Sequence, residues 1–210
     1  MLKALIFDFN GVLVNDVPYH LEAYKQAFEL AGAHFSKEEI KEMIGKPTSE
    51  VIRQGLEKHK SKVDYKKITE KKIAIYKKLI VGKKLLFPKE ETILEELKKK
   101  ARLGIFSASP RNQIVFPEKL LGLFEIIVAG EETKAPKPEP NTLLMIAEKL
   151  EAKPAECAYV GDFPVDMQTA KNANMLAIGI TASGFTKQEL KKSGADKVIN
   201  SLKELLELKV

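Results

Sequence analysis

Lys3-Ala4-Leu5-Ile6-Phe7-Asp8-Phe9-Asn10-Gly11-Val12-Leu13 is an apolar run of strand type that ends on a carboxylate and turns at a glycine three residues later. A strand buried on both faces of a parallel sheet reads as such a continuous hydrophobic run. In open α/β sheets, ligands bind just beyond the carboxyl ends of the strands. Asp8 therefore stands where chemistry is done, and a carboxylate left there without a partner is costly. Asn10 stands where a second carboxylate would complete a pair of nucleophile and acid.

Further apolar runs end on polar or small residues at 102–107, 125–129, 157–161 and 175–180, with 196–199 as a sixth strand at an edge. Helical periodicity fills the gaps at 89–100, 111–121, 140–150, 165–173 and 201–208. This alternation predicts an α/β fold on a doubly wound parallel sheet with right-handed crossovers. The interval 16–83 breaks the alternation and reads as helices at 17–32, 36–44, 47–60 and 64–80. Leu21, Tyr24, Phe28 and Ala31 give the first of these an apolar face, and Ser36 followed by Glu39 is a capping-box signature for the second. The expected organisation is a core of residues 1–15 and 84–210 with a helical cap inserted at 16–83, hinged near 14–18 and 82–88.

A chain of 210 residues with 44% hydrophobic content can bury a sizeable core. No apolar run approaches the roughly 20 residues needed to cross a bilayer, and a strand beginning at once predicts no signal peptide. Cys157 is the single cysteine and reads as a small buried hydrophobe, consistent with a cytoplasmic location. The net charge of +6 lies wholly in residues 17–83, which hold 15 Lys/Arg against 9 Asp/Glu, while the remainder is balanced. Such a segment is a solvated face, or it steers an anionic substrate. Nucleic acid is disfavoured because no aromatics interleave with the basic residues.

Several polar residues share one position type, a strand end or helix start. Asp8 closes the first strand and Ser107 the second, followed by Ala108 and Ser109. Lys137 sits in Ala135-Pro136-Lys137-Pro138-Glu139-Pro140, where prolines forbid helix upstream and then favour its first turn. Asp162 and Asp166 stand four apart where a strand gives way to a helix. A doubly wound sheet would bring this set to one crevice. Mg²⁺ takes hard oxygen ligands, usually one or two carboxylates with waters and a substrate phosphate. Asp8 and Asp162 could supply those carboxylates, with Asp166 beside them. Ser107 and the amides after it, beginning with Ala108, offer neutral donors to an anion. Asp8 could then attack phosphorus in line.

These motifs, in order from residue 8 to residue 166 and with an insertion after the first strand, resemble the haloacid dehalogenase superfamily of phosphohydrolases. The resemblance is to its β-phosphoglucomutase and phosphoglycolate phosphatase branch. It implies that Asp8 is the nucleophile that forms an aspartyl-phosphate and also binds Mg²⁺. It implies that position 10 normally holds the aspartate that protonates the leaving group, its backbone carbonyl ligating the metal. Ser107 and Lys137 would bind the transferring phosphoryl group, Asp162 would ligate Mg²⁺, and Asp166 would stand behind it. The expected partner is a small phosphorylated metabolite, and the chain is expected to be a monomer or weak homodimer.

Asn10 departs from that pattern. It keeps the shape and the backbone carbonyl but cannot carry a proton, so a slow phosphatase is expected. An engineered substitution, a natural variant of specialised activity and a retired enzyme that only binds phosphate all fit this residue. His20 assists proton transfer or lies on a helix surface. Gly45 and Lys46 lie in a break between cap helices that either meets a substrate's distal anion or is a plain turn. The mutase branch usually has an arginine just beyond this glycine, where this chain has Thr48 and Ser49. That weighs against a sugar-phosphate mutase. Arg111 and Asn112 touch substrate or start the next helix; His34 and His59 are expected at the surface.

Overall fold

A computed structural model describes residues 2–133 and 135–208. The chain forms two compact units: one runs up to Asn15 and resumes at Leu86, and the other is Asp16–Leu85.

The first unit is built on β1 (Ala4–Phe7), β2 (Arg102–Phe106), β3 (Ile126–Val128), β4 (Cys157–Gly161), β5 (Leu176–Ile180) and β6 (Lys197–Ile199), all paired in parallel in the order β3-β2-β1-β4-β5-β6. This is the expected doubly wound α/β sheet, with the sixth strand at an edge. The chain winds outward from β1 through β2 to β3, then returns to β4 and winds the other way. The strand order therefore reverses between β1 and β4, where such sheets bind ligands. All four residues of β1 are buried, as a central strand covered on both faces requires. Phe7 lies opposite Ile105 on one side and Val160 on the other. The helices α7 (Asn141–Lys149) and α8 (Pro164–Asn172) bring Leu143, Ile146, Met167 and Ala170 into a core with Phe106 and Tyr159.

Three local expectations need correction. Residues 111–121 are not one helix but a 3₁₀ turn, Arg111–Gln113, and a short α6, Glu118–Leu121. Pro117 lacks an N–H and bars the residue before it from helical backbone, which splits the segment. Residues 201–208 form a 3₁₀ helix, Leu202–Glu207, which brings the buried Leu202 and Leu205 onto one side at its three-residue repeat. A further helix, α9 (Lys187–Lys192), is present; Thr186 accepts from the Glu189 N–H and Glu189 from the Thr186 N–H, a capping box written in the sequence as Thr-x-x-Glu.

The second unit consists of α1 (Val17–Leu30), α2 (Lys37–Met43), α3 (Thr48–Lys58) and α4 (Tyr65–Ile80) around Tyr24, Phe28, Ile40, Val51, Ile52 and Ile68. Gly55 lets the Phe28 ring lie against α3, since a Cβ there would come within 2.4 Å of it. The surface reading of His20 is overturned: α4 packs on α1, Tyr76 stacks on the imidazole at 4.0 Å, and only 6% of the residue is exposed. Lys72 Nζ meets His20 Nδ1 at 2.7 Å and lies 4.3 Å from the centre of the Tyr24 ring. The Tyr76 hydroxyl donates to Asp16 Oδ2 at 2.6 Å, and His20 Nε2 lies 3.3 Å from the same oxygen.

Burial pushes Lys72 down from 10.5 to about 7, against the opposing pull of Asp16. At Lys72 the unfolded chain therefore binds more protons than the native one above pH 7, and the contribution of this group to stability rises with pH up to about pH 10. Beyond that Tyr24 and Tyr76 act with the opposite sign, because burial holds both protonated well above the usual tyrosine range. Lys72→Met removes both the hydrogen bond to His20 Nδ1 and the cation facing Asp16, and is expected to lower stability at pH 7 by on the order of 1–3 kcal/mol. It should also flatten the rise between pH 7 and 9.5 in thermal melts. An unchanged pH profile would show that Lys72 is not the group responsible.

Candidate active site

The Asp8 N–H donates to Val160 O at 2.8 Å, so sheet pairing continues one residue past β1 and holds Asp8 at the edge between β1 and β4. Asp162 follows β4 directly, and Asp166 lies in the first turn of α8. Gly161, the last residue of β4, must be glycine for Asp166 to fold back against it, since a Cβ there would clash with the Asp166 Cβ. Gly11 has φ +78°, and a Cβ on it would strike Asp162 Oδ2 and Ser183 Oγ, so only glycine lets the turn after Asp8 close on β4.

Lys137 enters from the proline-framed loop and bridges two of the acids. Its Nζ donates to Asp8 Oδ1 at 2.9 Å and to Asp166 Oδ1 at 2.7 Å, with 5% of the residue exposed. The Phe106 and Tyr159 rings flank the ammonium at 5.0 and 5.3 Å. Asp166 is fully engaged, since Oδ1 also accepts from the Tyr159 hydroxyl and Oδ2 from the Phe163 N–H. Asp162 Oδ2 accepts from the Ser183 hydroxyl, whereas its buried Oδ1 has no hydrogen-bond partner among the described residues.

Asp8, Asp162 and Asp166 each place one carboxylate oxygen within 4.8 Å of the others. Three carboxylates with one ammonium leave a formal charge of −2 in a largely buried site. The electrostatics record that excess. Burial, opposed by Lys137 and assisted by Asp166, raises Asp8 to about 6. Asp162 is pushed well above the usual carboxylate range by burial and by the charges of Asp8 and Asp166. Burial works against the Lys137 charge, but Asp166 and Asp8 overcome it and hold that charge more firmly. A buried, unpartnered oxygen of Asp162 beside Asp8 is the donor set of a hard divalent cation, so the residues fit Mg²⁺.

Ser107 follows β2, its N–H donating to Val128 O at 3.0 Å. Its hydroxyl lies 3.4 Å from Asn10 Oδ1 and accepts the Ser109 N–H at 3.1 Å. The Ser109 hydroxyl donates to Asn10 Oδ1 at 2.6 Å. Ala108 lies against Gly130, where a Cβ would come within 2.3 Å of the Ala108 carbonyl oxygen. The structure thus gathers Asp8, Asn10, Ser107, Ala108, Lys137, Asp162 and Asp166 at one end of one sheet. Ser109, Tyr159 and Ser183 join the same network in addition to the candidate residues that the sequence marks. Ser109 carries a signal in Ser-Ala-Ser, whereas Ser183 lies in a loop after β5 with no local signature.

His20, Gly45 and Lys46 lie in the second unit. Gly45 has φ +97° between α2 and α3, and Lys46 Nζ donates to Gln54 Oε1 at 3.2 Å. His34 and His59 are exposed. Arg111 is held by Glu132 and by Ile127 O and opens a 3₁₀ turn, where it was expected to touch substrate or to start a helix.

A family described as haloacid dehalogenase-like hydrolase matches residues 5–180. A phosphorylated carbohydrates phosphatase of Thermotoga maritima is 27% identical over 220 residues, covering 98% of this chain and 100% of that protein. A β-phosphoglucomutase of Bacillus subtilis is 28% identical, covering 97% of this chain and 92% of its own length. Among solved structures, a β-phosphoglucomutase from Clostridium difficile aligns with a TM-score of 0.83 at 25% identity, covering 98% of this chain and 93% of that one. A hydrolase from Pseudomonas syringae reaches a TM-score of 0.86 at 24% identity over 98% of this chain and 96% of its own, a likeness of fold.

Proposed function

This chain belongs to the haloacid dehalogenase-like hydrolases, and we propose that it is a phosphatase of small phosphorylated metabolites in which Asp8 accepts the phosphoryl group. The observation that carries this reading is the buried bridge of Lys137 between Asp8 and Asp166, with the unpartnered Asp162 oxygen beside it. An Asp8 oxygen forms the bond to phosphorus as the bond to the leaving oxygen breaks. Water then cleaves the acyl phosphate, releasing inorganic phosphate and restoring Asp8. Lys137 orients Asp8 and meets the charge on the phosphoryl oxygens, while the Ser107 hydroxyl and the Ala108 N–H donate to them. Asp166 keeps Lys137 in place. Asp8, Asp162 and the Asn10 carbonyl, with Asp166 behind them, would hold Mg²⁺, which supplies further neutralisation of phosphoryl charge.

Asn10 binds but does not move a proton, so the leaving group departs without an acid and the reaction is slow. Substrate choice is assigned to the helical unit, read as a cap, with His20, Gly45 and Lys46 as its candidate contacts. The Bacillus relative's name raises a mutase reading. Thr48 and Ser49 lack the positive charge expected to grip a second phosphate, so hydrolysis is preferred.

Adding Mg²⁺ to metal-free protein is expected to raise the melting temperature by roughly 5 °C at saturation. It should also elicit turnover of p-nitrophenyl phosphate. Asp162→Asn should lose both responses. Neither a shift nor turnover in the unaltered chain would reject the metal-dependent reading.

A further inference from the structure

Ser183 lies three residues beyond β5, in the loop that leads to α9. The pairing of Gly179 with Gly161 brings the end of β5 beside Asp162, the residue after β4. Contacts on either side hold the loop there. The Thr181 N–H donates to Ile199 O at 3.1 Å, which continues the sheet toward β6. The Phe185 ring meets Phe163, the neighbour of Asp162, edge-on at 5.2 Å. Ala182 lines an apolar pocket with Val12 and with Ile93 of α5 (Glu90–Lys98). From this loop the Ser183 hydroxyl donates to Asp162 Oδ2. The turn at Gly11 closes over the same two atoms, since a Cβ there would strike both. Asp162 Oδ2 is thus occupied and enclosed, and the carboxylate has one oxygen left to give.

On the metal-dependent reading of this site, on which the inference rests, we propose that Ser183 is a positioning residue for the cation. It makes Asp162 a one-oxygen ligand and thereby favours a small octahedral ion over a larger one. Ca²⁺ takes roughly six to eight oxygens and binds carboxylates through one or both of theirs, whereas Mg²⁺ demands near-ideal octahedral geometry and keeps several waters. Holding Oδ2 on a hydroxyl withdraws an oxygen that Ca²⁺ would use and Mg²⁺ would not. It also fixes the carboxylate beside Asp8, one oxygen of which lies within 4.8 Å of one on Asp162. Hydrogen bonds to a ligating carboxylate orient it, and their loss typically costs ~10–100-fold in metal affinity. A loop that merely packed against Asp162 would leave the preference between two divalent ions unchanged.

Calorimetric titration of the metal-free full chain with Mg²⁺ and, separately, with Ca²⁺ tests this, with no substrate present. Ser183→Ala should weaken Mg²⁺ binding by ~10–100-fold and Ca²⁺ binding much less, so that the Mg²⁺:Ca²⁺ affinity ratio falls by at least ~10-fold. Ser183→Thr, which keeps the hydroxyl, should keep the ratio of the unaltered chain. Far-UV circular dichroism confirms that each variant is folded. Three outcomes would overturn the role of Ser183 while leaving the metal site standing: equal weakening of both ions in Ser183→Ala, an unchanged Mg²⁺ affinity there, or a Ser183→Thr ratio as low as that of Ser183→Ala. No Mg²⁺ binding by the unaltered chain would overturn both.

Discussion

Exchanging Asn10 for aspartate is expected to raise turnover of p-nitrophenyl phosphate by ~10²–10⁴-fold, the usual contribution of a positioned acid or base. The change is nearly isosteric. Asn10 Oδ1 already accepts hydrogen bonds from Ser109 and Ser107, and an aspartate oxygen can accept the same two. The new group differs mainly in being able to carry a proton. Its effect should therefore fall on kcat, with KM little altered, because substrate contacts made in the ground state are unchanged. Steady-state kinetics of the two proteins at saturating Mg²⁺ measure this directly. Equal rates would mean that another group already moves the proton, or that the site binds phosphate without turning it over.

Lys137→Met is expected to have the second large effect, and it acts on both stability and rate. The ammonium is the buried counter-ion of Asp8 and Asp166. Removing one partner of a buried ionic pair typically costs ~3–5 kcal/mol, because the charge left behind is uncompensated. Turnover, in the Asn10→Asp background where it is easily measured, should fall by at least ~10²–10³-fold, as when one preorganised donor to a transition state is deleted. Adding Asp166→Asn should recover much of the stability, since one of the two stranded charges is then gone, but should not recover the rate. Denaturant unfolding and kinetics of the single and double variants separate these contributions. A double variant that regains activity would remove Lys137 from the proposed chemistry.

The alternation of short apolar runs with helical periods determined the parallel sheet, and the absence of strands between residues 16 and 83 marked the helical unit. Asp8, Ser107 and Asp162 each stand at the end of a run. Parallel strands share a direction, so residues ending them arrive at one edge however far apart they lie in the chain. Proline and capping chemistry also act locally: Pro117 and the Thr186–Glu189 box are signals within the sequence that helical periodicity alone passes over.

Tertiary structure decided what depends on distance between elements. Whether Lys137 reaches Asp8 or Asp166 depends on how its loop lies against the sheet, because Lys137 stands 129 residues from one and 29 from the other along the chain. Ser183, in a loop with no periodic signature, meets Asp162 only because β5 lies beside β4. His20 reads as a surface residue from α1 alone and is buried because α4 covers it with Lys72 and Tyr76. Period and turn chemistry are properties of neighbours along the chain and so are written in it. Burial, charge pairing and an oxygen left without a partner arise only when distant segments exclude water from one another.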